Sequence, residues 1–210
     1  MTAPSRAGVA RPGRVLSGIV LTVLATAFFA SMDSTGKVVV TAGMPTLMAL
    51  WGRYFFQALA TAIVVFPLRG RQALRTRRLP LQLLRGVLLM AGSALLFICL
   101  RYLPIGELTA LMMLTPLVVT LISALLFKEK VSPLRWLLVA GGFIGTLVIM
   151  RPGGSSFHWA MLVALLQVAA ISAFQLLTAR MARTEDPLTM HLYTGLVGAT
   201  VISLALPAVW

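Results

Sequence analysis

The stretch RGRQALRTRRLPLQLLRGVLLMAGSALLFICL, residues 69–100, decides the fold. Arginines crowd its first ten residues, and from Leu81 to Leu100 the only charge is Arg85. Twenty residues of helix rise about 30 Å, the thickness of a bilayer's hydrocarbon core. A basic loop followed directly by an apolar run of that length is the pattern of a membrane span and its flank.

Working outward, the alternation recurs along the whole chain. The predicted spans are Val15–Val40, Thr46–Leu68, Leu81–Leu100, Pro104–Phe127, Leu134–Met150, Trp159–Ala179 and Leu188–Leu206. The expected fold is therefore an all-α polytopic membrane bundle of seven transmembrane helices. Basic residues fall in every second connection. Arg6, Arg11 and Arg14 precede the first span. Arg69, Arg71, Arg75, Arg77, Arg78 and Arg85 are counted to the side between spans 2 and 3, Lys128, Lys130 and Arg135 lie between spans 4 and 5, and Arg180 and Arg183 between spans 6 and 7. Loops that stay in the cytoplasm keep Lys and Arg, so this bias predicts a cytoplasmic N-terminus and an outward-facing Trp210.

With 59% hydrophobic and 11% charged residues, the chain is far more apolar than a soluble domain, about a quarter of which is charged. A net charge of +13 would suggest nucleic acid in a soluble protein. Here the arginines are what membrane orientation demands, so the expected partners are the lipid bilayer and a small-molecule substrate, with no nucleic acid. The single cysteine, Cys99, lies in an apolar span and excludes an intrachain disulfide. A cleaved signal peptide ending near Ala25-Thr26-Ala27 is disfavoured, because cleavage there would remove half of the first span.

The chain also matches itself. Pro45-Thr-Leu-Met-Ala-Leu-Trp51 opens span 2, and Pro187-Leu-Thr-Met-His-Leu-Tyr193 opens span 7, at an offset of 142 residues that also lays span 6 on span 1. The implied repeat holds five spans. An odd number obliges a second copy to enter the membrane from the opposite face, the inverted-repeat plan of many secondary transporters, with the substrate site between the halves.

Several motifs follow one another in a definite order: Arg85-Gly86 opening the third span, Ala110 through Thr115-Pro116 in the fourth, the Lys128-Glu129-Lys130 turn, Gly141-Gly142-Phe143-Ile144-Gly145 in the fifth and the closing Arg151-Pro152-Gly153. In this order they resemble an EamA-type domain of the drug/metabolite transporter superfamily. After a basic N-terminal segment, residues 1–14, the resemblance covers one full five-span domain, residues 15–152, and the first two helices of a second, residues 153–210. It implies a ten-span fold of two inverted repeats that moves small metabolites across the bacterial inner membrane. Spans 8 to 10 of that pattern are lacking. The chain is then expected to be part of a longer carrier, or to be completed by a partner chain or a homo-oligomer.

Ionisable residues inside spans mark candidate sites, because each costs roughly 2.5–3.5 kcal/mol at the bilayer centre on insertion scales. Asp33 and Lys37 are one turn apart on span 1 and can pair. Arg53 on span 2 has Gln57 one turn further on the same face, and Glu107 lies one turn into span 4. All four charges fall in the half of the membrane predicted to face outward, which points to substrate binding or gating by Asp33, Lys37, Arg53, Gln57 and Glu107. Gln175 on span 6 aligns with Asp33 under the repeat offset and joins them, with Gln167 on the same span. Local salt bridging, snorkelling of Lys37 to the interface and helix–helix hydrogen bonding by the glutamines are the competing readings.

Pro116 is expected to kink span 4 by depriving the Met112 carbonyl of its donor, with Thr115 as a local substitute and a hinge as the functional reading. Gly141 and Gly145 form a G-x-x-x-G pair suited to close helix packing. No zincin, nucleophile-elbow or phosphate-loop signature occurs, so no enzyme is expected. Two histidines and five carboxylates predict no metal and no cofactor. A retinal receptor is excluded because the last lysine, Lys130, lies in a loop. A seven-span ligand receptor and a non-transporting membrane subunit are the remaining rivals to a secondary carrier.

Overall fold

In the computed structural model, which describes residues 12–127, 132–150 and 158–208, the chain is all helix and connecting turn. Eight α-helices follow in order: α1 Pro12–Thr41, α2 Thr46–Arg69, α3 Leu79–Tyr102, α4 Ile105–Met112, α5 Thr115–Phe127, α6 Pro133–Met150, α7 Ala160–Met181 and α8 Pro187–Ala205, with a 3₁₀ turn at Gly70–Leu74 after α2. Among the described residues, six stretches are long and apolar enough to cross a membrane, α4 and α5 together forming one of them, and Pro133–Val148 is a shorter apolar helix. The expected helical bundle is present. The Lys128-Glu129-Lys130 turn, the Arg151-Pro152-Gly153 motif and most of the basic N-terminal segment lie outside the described residues.

The helix ends have local causes. Gly43, at φ 98°, and Gly70, at φ 54°, supply the left-handed conformations that turn the chain after α1 and α2, where a side chain would be strained. At the start of α8, Pro187 occupies the first turn while the Asp186 carboxylate accepts from the Thr189 N–H at 3.2 Å, a proline-plus-cap start. Within α1, the hydroxyls of Thr22, Thr26, Ser31, Thr35 and Thr41 donate to carbonyls four residues back, which satisfies them where lipid offers no partner.

Packing is dominated by two antiparallel seams, α3 along α7 and α2 along α8, with α8 also against α3. Apolar side chains gain nothing by leaving lipid for one another, so these seams depend on close approach at small residues. A side chain at Gly195 would sit 3.0 Å from the Ala58 backbone, one at Gly86 would sit 2.6 Å from Val197 Cβ, and one at Gly92 would sit 2.6 Å from Ile171 Cδ1. Tyr54 lies against Gly198 in the same way. α7 is enclosed by α3, α4 and α5, whereas α1 packs mainly against α3 and α2 and leaves most of its length uncovered among the described residues.

Two expectations need correction. Gly141 and Gly145 face open space with nothing within 4 Å, and the glycine of α6 that packs is Gly142, against Leu117. Period-four spacing identifies a smooth helix face without saying whether a neighbour lies on it. Arg85 does not belong to the loop before span 3: α3 begins at Leu79 and the arginine is buried at 4% exposure. The disruption expected from Pro116 takes the form of a break in span 4 at Met113–Leu114, just before the proline, because a proline ring collides with the carbonyl one turn back. The substitute donor is as expected, since Thr115 Oγ1 donates to the Met112 carbonyl at 2.7 Å.

Candidate functional site

Two ends of the bundle can be told apart. The connections at 70–78 and 182–186 share the arginine-rich end, and the α1–α2 and α3–α4 turns share the opposite end. Asp33, about two turns from the end of α1, meets Arg53, about two turns into α2: Arg53 Nη1 lies 3.9 Å from Asp33 Oδ1. This separation is an ion pair without a hydrogen bond. Arg53 Nη1 is buried and has no hydrogen-bond acceptor among the described residues. The next residue, Tyr54, is fully buried and its hydroxyl bonds Ser93 Oγ of α3 at 2.9 Å. Trp51 Nε1 donates to Ser203 Oγ of α8 at 2.9 Å, with its ring stacked on Phe55 at 4.8 Å.

Lys37 does not pair with Asp33. Its Nζ donates to the Leu103 carbonyl at 2.9 Å, fastening α1 to the end of α3, while Gly36 lets α1 approach the Phe97 ring. Gln57 is half-buried on α2, one turn beyond Arg53, and Glu107 is exposed in the first turn of α4; neither side chain has a polar partner among the described residues. Gln175 is exposed on α7, one turn before Thr178, and so belongs to the arginine-rich half, away from Asp33 and Arg53. Of the six candidate residues, the structure brings Asp33 and Arg53 into contact and places Gln57 beside them.

The helix break is the second polar feature. Ser172 of α7 donates to the Thr115 carbonyl at 3.3 Å, and Ala164, two turns earlier, packs in a cluster with Leu108 and Leu111. Gln167 lies between these two anchors, level with the interruption. It is 1% exposed, and its Oε1 has no donor among the described residues.

Arg85, a flanking residue by sequence, is a junction in the structure. Its Nε donates to Thr178 Oγ1 of α7 at 3.0 Å, and its Nη1 donates to the Met190 carbonyl of α8 at 2.8 Å and Gln82 Oε1 at 3.4 Å. The guanidinium also stands 5.1 Å from the centre of the Phe174 ring. The readable signal was a charge seven residues into the α3 helix, beyond the loop. The pairing of Tyr54 with Ser93 left no such signal, because Tyr and Ser are unremarkable in apolar helices. Among the described residues no three His, Cys, Asp or Glu side chains cluster to hold a metal ion.

Residues 16–151 match the EamA-like transporter family. The chain is 32% identical over 164 residues to a riboflavin transporter of Brucella anthropi, covering 78% of this chain and 57% of that protein. It is 29% identical over 180 residues to a riboflavin transporter of Vibrio cholerae, covering 85% and 60% respectively. To an S-adenosylmethionine uptake transporter of Rickettsia prowazekii it is 27% identical over 150 residues, covering 70% and 51%. The chain thus spans 51–60% of the length of these relatives. No solved structure matches it.

Proposed function

Because the chain belongs to the EamA-like transporter family, we propose that it is a secondary carrier for a small organic metabolite in the bacterial inner membrane. Its N-terminus is cytoplasmic, and it works by alternating access between two inverted repeats, residues 15–152 and the segment beginning at 153. In this reading α7 and α8 open the second repeat. The antiparallel seam of α2 and α8 supports the inversion: Trp51 meets Ser203, Tyr54 meets Gly198 and Ala58 meets Gly195, in the descending order that a two-fold axis in the membrane plane produces.

Arg53 carries the proposal. A guanidinium inside a membrane-spanning helix persists where it is paired, hydrated or used. Here its pairing with Asp33 is loose, at 3.9 Å, and one buried nitrogen lacks an acceptor among the described residues. A polar metabolite can replace Asp33 as the partner of Arg53 without the cost of stripping a tight ion pair. Gln57 adds an amide on the same face, and Glu107 lies towards the entrance in the first turn of α4. Lys37, held by Leu103, closes α1 on α3 around the pair. The hinge of the cycle is the break between α4 and α5, just before Pro116.

The relatives named for riboflavin and S-adenosylmethionine make riboflavin the first solute to test. The full-length gene product in proteoliposomes is expected to move labelled riboflavin. Arg53→Ala and Asp33→Ala are expected to lower the initial rate at least about tenfold, the factor that 1.4 kcal/mol represents, with equal protein in the membrane. Transport undiminished by Arg53→Ala would remove the pair from the site.

A further inference from the structure

At the arginine-rich end, two chain segments that the proposed carrier assigns to different repeats are tied together by charged groups. From the α7–α8 connection, Glu185 is 8% exposed; its Oε2 accepts from the Thr76 hydroxyl at 2.8 Å and its Oε1 from the Arg77 N–H at 3.1 Å. Asp186 pairs with Arg69 at 3.2 Å. The Tyr193 hydroxyl of α8 donates to the Leu74 carbonyl at 2.8 Å. Behind these ties the 3₁₀ turn sits directly on α8, with Ala73 packed against Leu192 and Val65. The bonds enclose one side of a cavity of about 630 Å³ lined by Arg75, Thr76, Glu185 and Tyr193 among others.

At the opposite end, the hydrogen bonds that join α2 to α8 and α3 to α7 among the described residues are neutral: Trp51 to Ser203, and the Cys99 thiol to the Ala160 carbonyl at 3.6 Å. Charge-assisted hydrogen bonds are roughly twice as strong as neutral ones. The closure is therefore asymmetric. Beneath it lie two costly groups. Arg85 is buried with no carboxylate partner among the described residues, and Gln82, at 0% exposure, has an Nε2 with no acceptor there. Such groups lose hydration without full repayment, and lifting the cover returns them to water. A closure made of groups that water can solvate, over others that gain by being wetted, can open. The glycine crossings at Gly86 and Gly195 are apolar and close-packed, and provide fixed points about which it does so.

We propose that Glu185, with Asp186 and Tyr193, forms the gate that seals the arginine-rich end of the transport route in this conformation, with Thr76, Arg77, Arg69 and Leu74 as its strike plate. The proposal rests on the carrier reading and deepens it. Opening breaks the two Glu185 bonds first and lifts the 3₁₀ turn off Leu192.

The test uses the full-length protein in open membrane sheets, which expose both faces, with Cys99→Ser as background and Leu192→Cys as reporter. A hydrophilic maleimide is expected to label the reporter slowly. Adding Glu185→Ala is expected to raise the rate at least about tenfold, the lower bound that the loss of two charge-assisted bonds implies, and Tyr193→Phe several-fold, while Trp51→Phe at the other end leaves it unchanged. Ala73→Cys, on the opposite side of the same contact, is the second reporter should Leu192→Cys fail to fold. Equal labelling rates with and without Glu185→Ala would overturn the gate. In a second arm, a short bifunctional thiol reagent bridging Thr76→Cys and Glu185→Cys is expected to arrest transport until reduced, and transport through the bridged protein would also overturn it. Labelling reads the gate without any substrate, so failure of the carrier reading alone leaves the labelling difference intact.

Discussion

Gly86→Ala offers a sharp test of the packing argument. A Cβ built on Gly86 lies 2.6 Å from Val197 Cβ, 2.8 Å from Cγ1 and 3.0 Å from Cγ2. Carbon atoms in contact rest about 3.5–4.0 Å apart, so α3 and α8 must separate by roughly an ångström. No rotamer change moves Val197 Cβ, which is fixed to the backbone. Overpacking of this kind costs about 1–3 kcal/mol, offset by up to about 1 kcal/mol from replacing glycine inside a helix. The expected net loss of about 1–2 kcal/mol corresponds to a fall of roughly 2–8 °C in thermal midpoint for a chain of this size, read by the monodisperse fraction after heating in mild detergent. In a Val197→Gly background, where the nearest atom is gone, the further change Gly86→Ala is expected to cost little relative to Val197→Gly alone, a rescue read as the difference between the two. In a Val197→Ala background that atom stays in place, and Gly86→Ala is expected to cost nearly as much as in the parent. Gly141→Ala, with nothing within 4 Å, is the control and is expected to be neutral or stabilising. A Gly86→Ala protein as stable as the parent, or equal rescue by the two second-site changes, would refute the reasoning.

Other outcomes follow from single bonds. Thr115→Val strips the Met112 carbonyl of its donor at the helix break and is expected to lower stability by about 1 kcal/mol, whereas Thr115→Ser is expected to be neutral in the same melt. Lys37→Met releases the end of α3 from α1 and is expected to cost about 1 kcal/mol, with Lys37→Arg closer to the parent; equal midpoints for both would show that the bond to Leu103 contributes nothing. Cys99 is fully buried, so a hydrophilic maleimide is expected to leave the parent protein unlabelled in native membranes and to label it fully in SDS. Labelling in the native state would place that face of α3 against water.

What could be read from residues alone was whatever depends on neighbours in the chain. Span positions follow from apolar length, because the bilayer sets a fixed distance and helix rise is constant. The Thr115 bond to Met112 was foreseeable because donor and acceptor are three residues apart on a helix whose geometry is known. The order of family motifs likewise survives without coordinates. Contacts between helices were a different matter. Asp33 has Lys37 one turn away and Arg53 on another helix, and the structure joins it to Arg53 while Lys37 reaches Leu103. Spacing along one helix ranks local partners and says nothing of a competitor brought alongside by packing. The glycines of α6 read as a packing pair, yet Gly142 is the one under Leu117, because which face is covered depends on where α5 lies. Arg85 counts with a basic segment by sequence, and nothing in the sequence marks Glu185. Only the meeting of α3, α7 and α8 buries the one, and only the approach of the connection before α3 hands the other its two donors, since burial and hydrogen bonding at helix ends are properties of the assembled bundle.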